Sequence, residues 1–276
     1  MAPLVVALVL CAAFANASWN ALLRGGADRF WSMTVMCAVS AATALPFLLL
    51  LPAPAQACWG LIALSATLQV GYCVFLVRAY EHGGLAQVYP IARGTAPLLV
   101  TVGAAVVAGE RLPPAALAGV ALVSLGIMAL AFGRARMAAR PTLLAAATGG
   151  FIAAYTVTDG VGARLSQHPT SYAAWLFVAQ GFGMIAVYLA TRRRLALPRN
   201  RELVRALVGG VLGVASYGVA IWALTVAPMG QVSALRETSI LFAAVLGALF
   251  LKEKVTVERA GAAAMIAAGA VVLAAG

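Results

Sequence analysis

Four ionisable side chains stand deep inside apolar stretches of the chain: Arg93, Asp159, Arg236 and Glu237. Stretches of about 20 apolar residues span a bilayer as helix. A charge at that depth costs about 2.5–3.5 kcal/mol on insertion scales, so each needs a partner or a task. Arg93 lies roughly nine residues into its stretch, about 12 Å deep at 1.5 Å per residue, and Arg236 lies about as deep in a later one. A guanidinium is a planar fork of donors matched to a carboxylate. Asp159 and Glu237 can each receive an ammonium or neutralise a buried arginine, and the sequence leaves both roles open. Glu237 follows Arg236 directly, so on one helix the two point about 100° apart and do not face each other.

Polar and aromatic residues extend the same chemistry. Asn16, Trp19 and Asn20 share a face of the first apolar stretch, and Ser65, Gln69 and Tyr72 share one of the third. Unpaired amides in hydrocarbon cost several kcal/mol, so these faces are expected to turn inward. Tyr155 sits one turn before Asp159. With Tyr72, Tyr89 and Tyr217 it can line a pocket for a bulky or aromatic group. Pro90, Gly94 and Pro97 fall within eight residues of one stretch, where lost backbone hydrogen bonds permit bending, and are expected to form a gate.

The elements that position these groups follow from composition. Of the 276 residues, 63% are hydrophobic and only 10% charged, too few charges for a water-soluble surface. In lipid only helices or closed barrels satisfy the backbone, and the stretches lack the alternation of barrel strands. Ten spans are predicted, at about 2–23, 30–52, 57–79, 85–108, 113–133, 142–163, 170–191, 203–226, 229–251 and 257–275. The fold class is therefore all-α integral membrane. Ala118, Gly119, Gly126, Gly261 and Gly269 give the fifth and tenth spans small-residue faces suited to close packing. No Walker loop, dinucleotide fingerprint, metal spacing or nucleophile elbow occurs, so no cofactor, metal or catalytic residue is expected.

The net charge of +11 is spread as short basic clusters between spans, which is a topology signal and no sign of nucleic acid. Fifteen of the 19 basic residues fall in or beside odd-numbered connections; only Arg111 and Arg164 fall in even ones. By the positive-inside rule both termini are expected to be periplasmic, in a bacterial-type inner membrane.

Four landmarks recur. Gln87-Val88 and Gln231-Val232 are 144 residues apart; the Arg-x-Thr runs that begin at Arg93 and Arg236 are 143 apart, as are Glu110 and Glu253; Tyr72 and Tyr217 are 145 apart. Five spans per copy is an odd number, so the copies are inverted: residues 1–137 and 138–276, with a site expected where they meet near the midplane.

The Ala17-Ser18-Trp19-Asn20 segment, the Gly109-Glu110-Arg111 ending of the fourth span and the Lys252-Glu253-Lys254 ending of the ninth resemble the drug/metabolite transporter superfamily, EamA type. The resemblance implies secondary export of small metabolites, amino acids first among them; the expected partners are a small-molecule substrate and the lipid bilayer, and the sequence leaves the oligomeric state, a monomer included, open. The multidrug branch of the superfamily exchanges protons for organic cations through a first-helix glutamate. This first span carries no acid, and proton-driven cation export through Asp159 or Glu237 is the alternative. A non-transporting scaffold is the other alternative, disfavoured by the repeat.

Overall fold

The computed structural model describes residues 1–24, 28–82, 85–132, 139–192, 200–251 and 256–275. The expected repeat boundary at 137/138 and the segment 252–254 lie outside the described residues. Helices follow one another throughout: α1 Pro3–Arg24, α2 Arg29–Leu50, α3 Trp59–His82, α4 Leu85–Ala108, α5 Pro114–Phe132, α6 Ala139–Leu165, α7 Pro169–Arg192, α8 Asn200–Val226, α9 Met229–Arg236, α10 Ser239–Leu251 and α11 Val257–Ala275. A 3-10 turn, Gln56–Cys58, precedes α3. Eight of these helices are long and apolar enough to cross a membrane; α5 and the α9–α10 pair supply the fifth and ninth spans. The predicted bounds agree to within three residues apart from the ninth.

Local chemistry sets the ends. Pro3, Pro114 and Pro169 stand at first helical positions, where a missing N–H costs nothing. The Asp28 carboxylate accepts the Trp31 N–H at 3.0 Å and starts α2. Gly109 (φ +66°) follows the end of α4 in the left-handed conformation that glycine adopts freely.

The ninth span, expected continuous over 229–251, is broken at Glu237 and Thr238. There the Glu237 N–H bonds Ala234 O and the Thr238 N–H bonds Leu235 O, both at 3.1 Å, so the turn tightens. The Thr238 hydroxyl also donates to Leu235 O at 2.6 Å, competing for that carbonyl. By contrast α4 runs unbroken through Pro90, Gly94 and Pro97.

Helix partners follow one pattern. α1 packs on α8, and α3 on α6; α2 packs on α8, and α3 on α7; α4 packs on α6, and α9 and α10 on α1. Moving each span on by five turns the first of each pair of contacts into the second. The α2–α7 and α5–α11 contacts map onto themselves.

The α5–α11 contact shows why small residues are needed. A methyl at residue 269 would sit 2.8 Å from Gly119 O and 2.9 Å from Val123 N, main-chain atoms that cannot rotate away. Gly261 has open space around it instead, so it is not part of that close approach. Gly269→Val is expected to cost about 1–3 kcal/mol through overpacking, while Gly261→Ala changes stability little. Thermal unfolding of the purified variants checks both, and equal melting temperatures would refute the reading.

Candidate substrate-binding site

The deep charges meet in one layer of the bundle. Arg93 rises from α4, one turn after Tyr89, and its guanidinium lies 5.4 Å from the centre of the Tyr89 ring. Its Nη1 donates to Glu237 Oε1 at 2.9 Å, both side chains being at least 95% buried. The two residues come from different helices, so their pairing has no counterpart in spacing along a single helix. The second oxygen of Glu237, Oε2, is buried without a hydrogen-bond partner.

Arg236 has a different environment. It is the last residue of α9, 93% buried, with its guanidinium 4.9 Å from the centre of the Tyr217 ring. Arg93 pairs with Glu237, Arg164 with Glu110 and Arg192 with Asp28, and Arg236 is in none of these pairs. Its Nε donates to nothing. One buried cation is thus paired with a carboxylate and the other is not.

Asp159, fully buried on α6, is held by three donors: the Tyr217 hydroxyl, the Tyr172 hydroxyl at 2.9 Å and the Gln69 amide at 3.2 Å. Gln69 also donates to Ser65 Oγ at 3.3 Å. Tyr155 stands edge-on to Tyr72 on one side and to Tyr217 on the other, centroids 5.8 and 5.6 Å apart. Such edge contacts fix ring planes.

On α1, Trp19 Nε1 donates to Asn16 Oδ1 at 3.1 Å, and the Asn20 amide donates to the main-chain oxygen of Asn16 at 2.8 Å. That leaves Asn16 Nδ2 buried without a partner.

These groups surround a cavity of about 90 Å³. A water takes up about 30 Å³ in the liquid, so the cavity has room for about three waters or a small solute. Its wall includes every residue expected at the site except Asn20, Tyr89, Asp159 and Glu237. Asn20 is occupied within its own helix, and Tyr89 lies against Arg93. The two acids stand one layer behind the wall, each spent on groups that do line it. Of the gate residues, Gly94 faces away, towards Ser124 O and Met128 on α5.

Several lining residues were not expected from sequence. Gln180 on α7 is an amide inside an apolar span, the same signal that marked Gln69. Met33, Met36, Cys37 and Cys73 add a polarizable sulfur face. Gly209 and Gly210 line it because α2 presses on α8: a methyl at residue 210 would lie 2.7 Å from Met36 O.

Residues 140–275 match the family model described as the EamA-like transporter family. No curated protein matches the chain. Among solved structures, a protein crystal structure superposes with a TM-score of 0.78 at 20% identity, over 98% of this chain and 94% of the other. That likeness shows a shared fold.

Proposed function

We propose that the chain is a membrane transporter that exports amino acids or similar small zwitterions by alternating access; the match of residues 140–275 to the EamA-like transporter family supports transport of small molecules. The observation that carries this reading is the state of Arg236: a buried guanidinium at the cavity wall with an unpaired Nε and no carboxylate partner. Asn16 Nδ2 is a second unpaired donor on the same wall. A buried donor left unmade costs about 1–3 kcal/mol, and a substrate carboxylate would relieve both. The ring faces of Trp19, Tyr72 and Tyr155 then take the ammonium or an apolar side chain. Export of organic cations would call for a free acid at the wall, whereas Asp159 and Glu237 stand behind it with donors already bound.

In this reading residues 1–137 and 138–276 are two inverted units that rock about the cavity. The matched helix contacts support that division. The basic clusters support an inner-membrane orientation with both termini periplasmic. Pro90 and Pro97 remove two donors from α4, and with Gly94 they mark where we place its bend.

Efflux of labelled amino acids from proteoliposomes tests the proposal. Arg236→Lys keeps the charge and loses the planar fork, so KM is expected to rise about tenfold or more, a change of roughly 1.4 kcal/mol in binding. Arg93→Lys, which can keep its bond to Glu237, is expected to move KM less. Normal amino-acid kinetics in Arg236→Lys, or efflux of dye cations alone, would remove the carboxylate site.

A further inference from the structure

At one end of the bundle the connections α2–α3, α4–α5, α6–α7 and α8–α9 are tied to each other. The Ser171 hydroxyl donates to Pro52 O at 2.7 Å, and the Ala55 N–H donates to Ser166 O at 3.2 Å. The strongest tie is Glu110, just after Gly109. One of its oxygens pairs with Arg164, and the other accepts the Met229 N–H at 2.8 Å. Arg164 in turn donates to Leu224 O at 2.9 Å and to Ala227 O at 3.2 Å. Met229 is the first residue of α9, and Pro228 before it offers no side-chain cap. A carboxylate from the first unit therefore caps a short helix of the second, whose last residue is Arg236.

The cavity reaches towards the other end. Trp19 is near the end of α1, Met33 near the start of α2, and Gly209 in the first half of α8. There Arg192 pairs with Asp28 at 3.8 Å, with both side chains at least 44% exposed.

We propose that Glu110, clasped by Arg164, is the latch that closes this end of the transport path, and that by capping α9 it seats Arg236 at the cavity only while the latch is shut. An eight-residue helix is about 12 Å long, so a shift at Met229 reaches Arg236 as a movement of one stiff element. Opening the end must part Glu110 from both Arg164 and the Met229 N–H, which frees α9 and releases the bound solute on that side. The inference rests on the transporter reading, but its principal test needs no substrate.

Cys58 is the reporter already in the chain. It is fully buried at the latched end, in contact distance of Ala55 O (3.0 Å), and packs in a cluster with Ala163 and Tyr172 of the second unit. Alkylation of the full chain in liposomes by a water-soluble maleimide, followed by peptide mapping, separates Cys58 from Cys11, Cys37 and Cys73. Glu110→Gln and Arg164→Gln each lose a charge-assisted tie, so Cys58 is expected to react about tenfold faster in both. In efflux, Glu110→Gln is expected to raise KM about tenfold with kcat at or above the parent value. A mere loss of folded protein would lower kcat and leave KM alone. If either glutamine variant fails to fold, Arg164→Lys serves, and an increase in Cys58 reactivity smaller than tenfold but above the parent supports the latch. Cys58 reactivity equal to the parent in folded variants overturns it. Faster alkylation with Arg236→Lys transporting normally would retain the latch while removing the carboxylate site.

Discussion

Replacing Glu237 with alanine is expected to destabilise the protein by about 3–5 kcal/mol, and removing Arg93 as well is expected to return much of that loss. The argument is one of stranded charge. The Arg93–Glu237 pair is at least 95% buried on both sides, so deleting the acid leaves a buried guanidinium without its counter-charge. Deleting both members leaves only a void and a neutral wall. The nearby Arg236 sharpens the effect, because Glu237 stands next to it in the chain as well as pairing with Arg93. Melting of the purified protein followed by tryptophan fluorescence, on Glu237→Ala and on Arg93→Ala/Glu237→Ala, decides the matter. A double variant at least as unstable as the single one would show that the pair is held by packing and not by charge.

The second large effect belongs to Asp159. Asp159→Ala orphans the Tyr172 and Tyr217 hydroxyls and one bond of the Gln69 amide in a fully buried place. At about 1–3 kcal/mol per unsatisfied group, and with Gln69 keeping Ser65, a loss on the order of 3 kcal/mol is expected. Tyr217→Phe removes one donor while the carboxylate keeps two others, so it is expected to cost only about 1 kcal/mol. Transport should separate them too: without its anchor the Tyr217 ring no longer fixes Arg236 above it, and KM rises in both variants. Equal, small stability losses in Asp159→Ala and Tyr217→Phe would mean that water or a neighbour replaces the carboxylate.

The spans could be read from sequence because charge and hydropathy mark where a helix may enter lipid, and that needs no knowledge of neighbours. Arg93, Arg236, Asp159 and Glu237 could be found for the same reason: each is costly in place whatever surrounds it. Their pairing could not, since Arg93 and Glu237 meet only when α4 packs on α9. Nor did the sequence reveal that the ninth span breaks, because Glu237 and Thr238 carry no proline or glycine and the turn is set by Arg93 and by a hydroxyl bond. Gln180 was within reach of the argument used for Gln69. Glu110 and Arg164 were not: near span ends a charged residue is ordinarily solvated, and only the fold shows that these two share one helix end.

The break in the ninth span also has an electrical meaning. Aligned peptide units give a helix the equivalent of about half a positive charge at its start and half a negative charge at its end. At residues 237 and 238 the end of α9 and the start of α10 come together at bilayer depth. Arg236 closes α9 and so sits at the negative pole; Glu237 lies just before Ser239 and so sits at the positive pole of α10. Each contact is worth about 0.3–1 kcal/mol at a surface, and up to about 2 kcal/mol when partly buried. In an unbroken helix neither charge would gain this. The order arginine then glutamate is the favourable one, and reversing it would set each charge against the wrong pole. The main chain therefore helps hold this charged dipeptide within the membrane, while the Arg236 Nε keeps no hydrogen-bond partner.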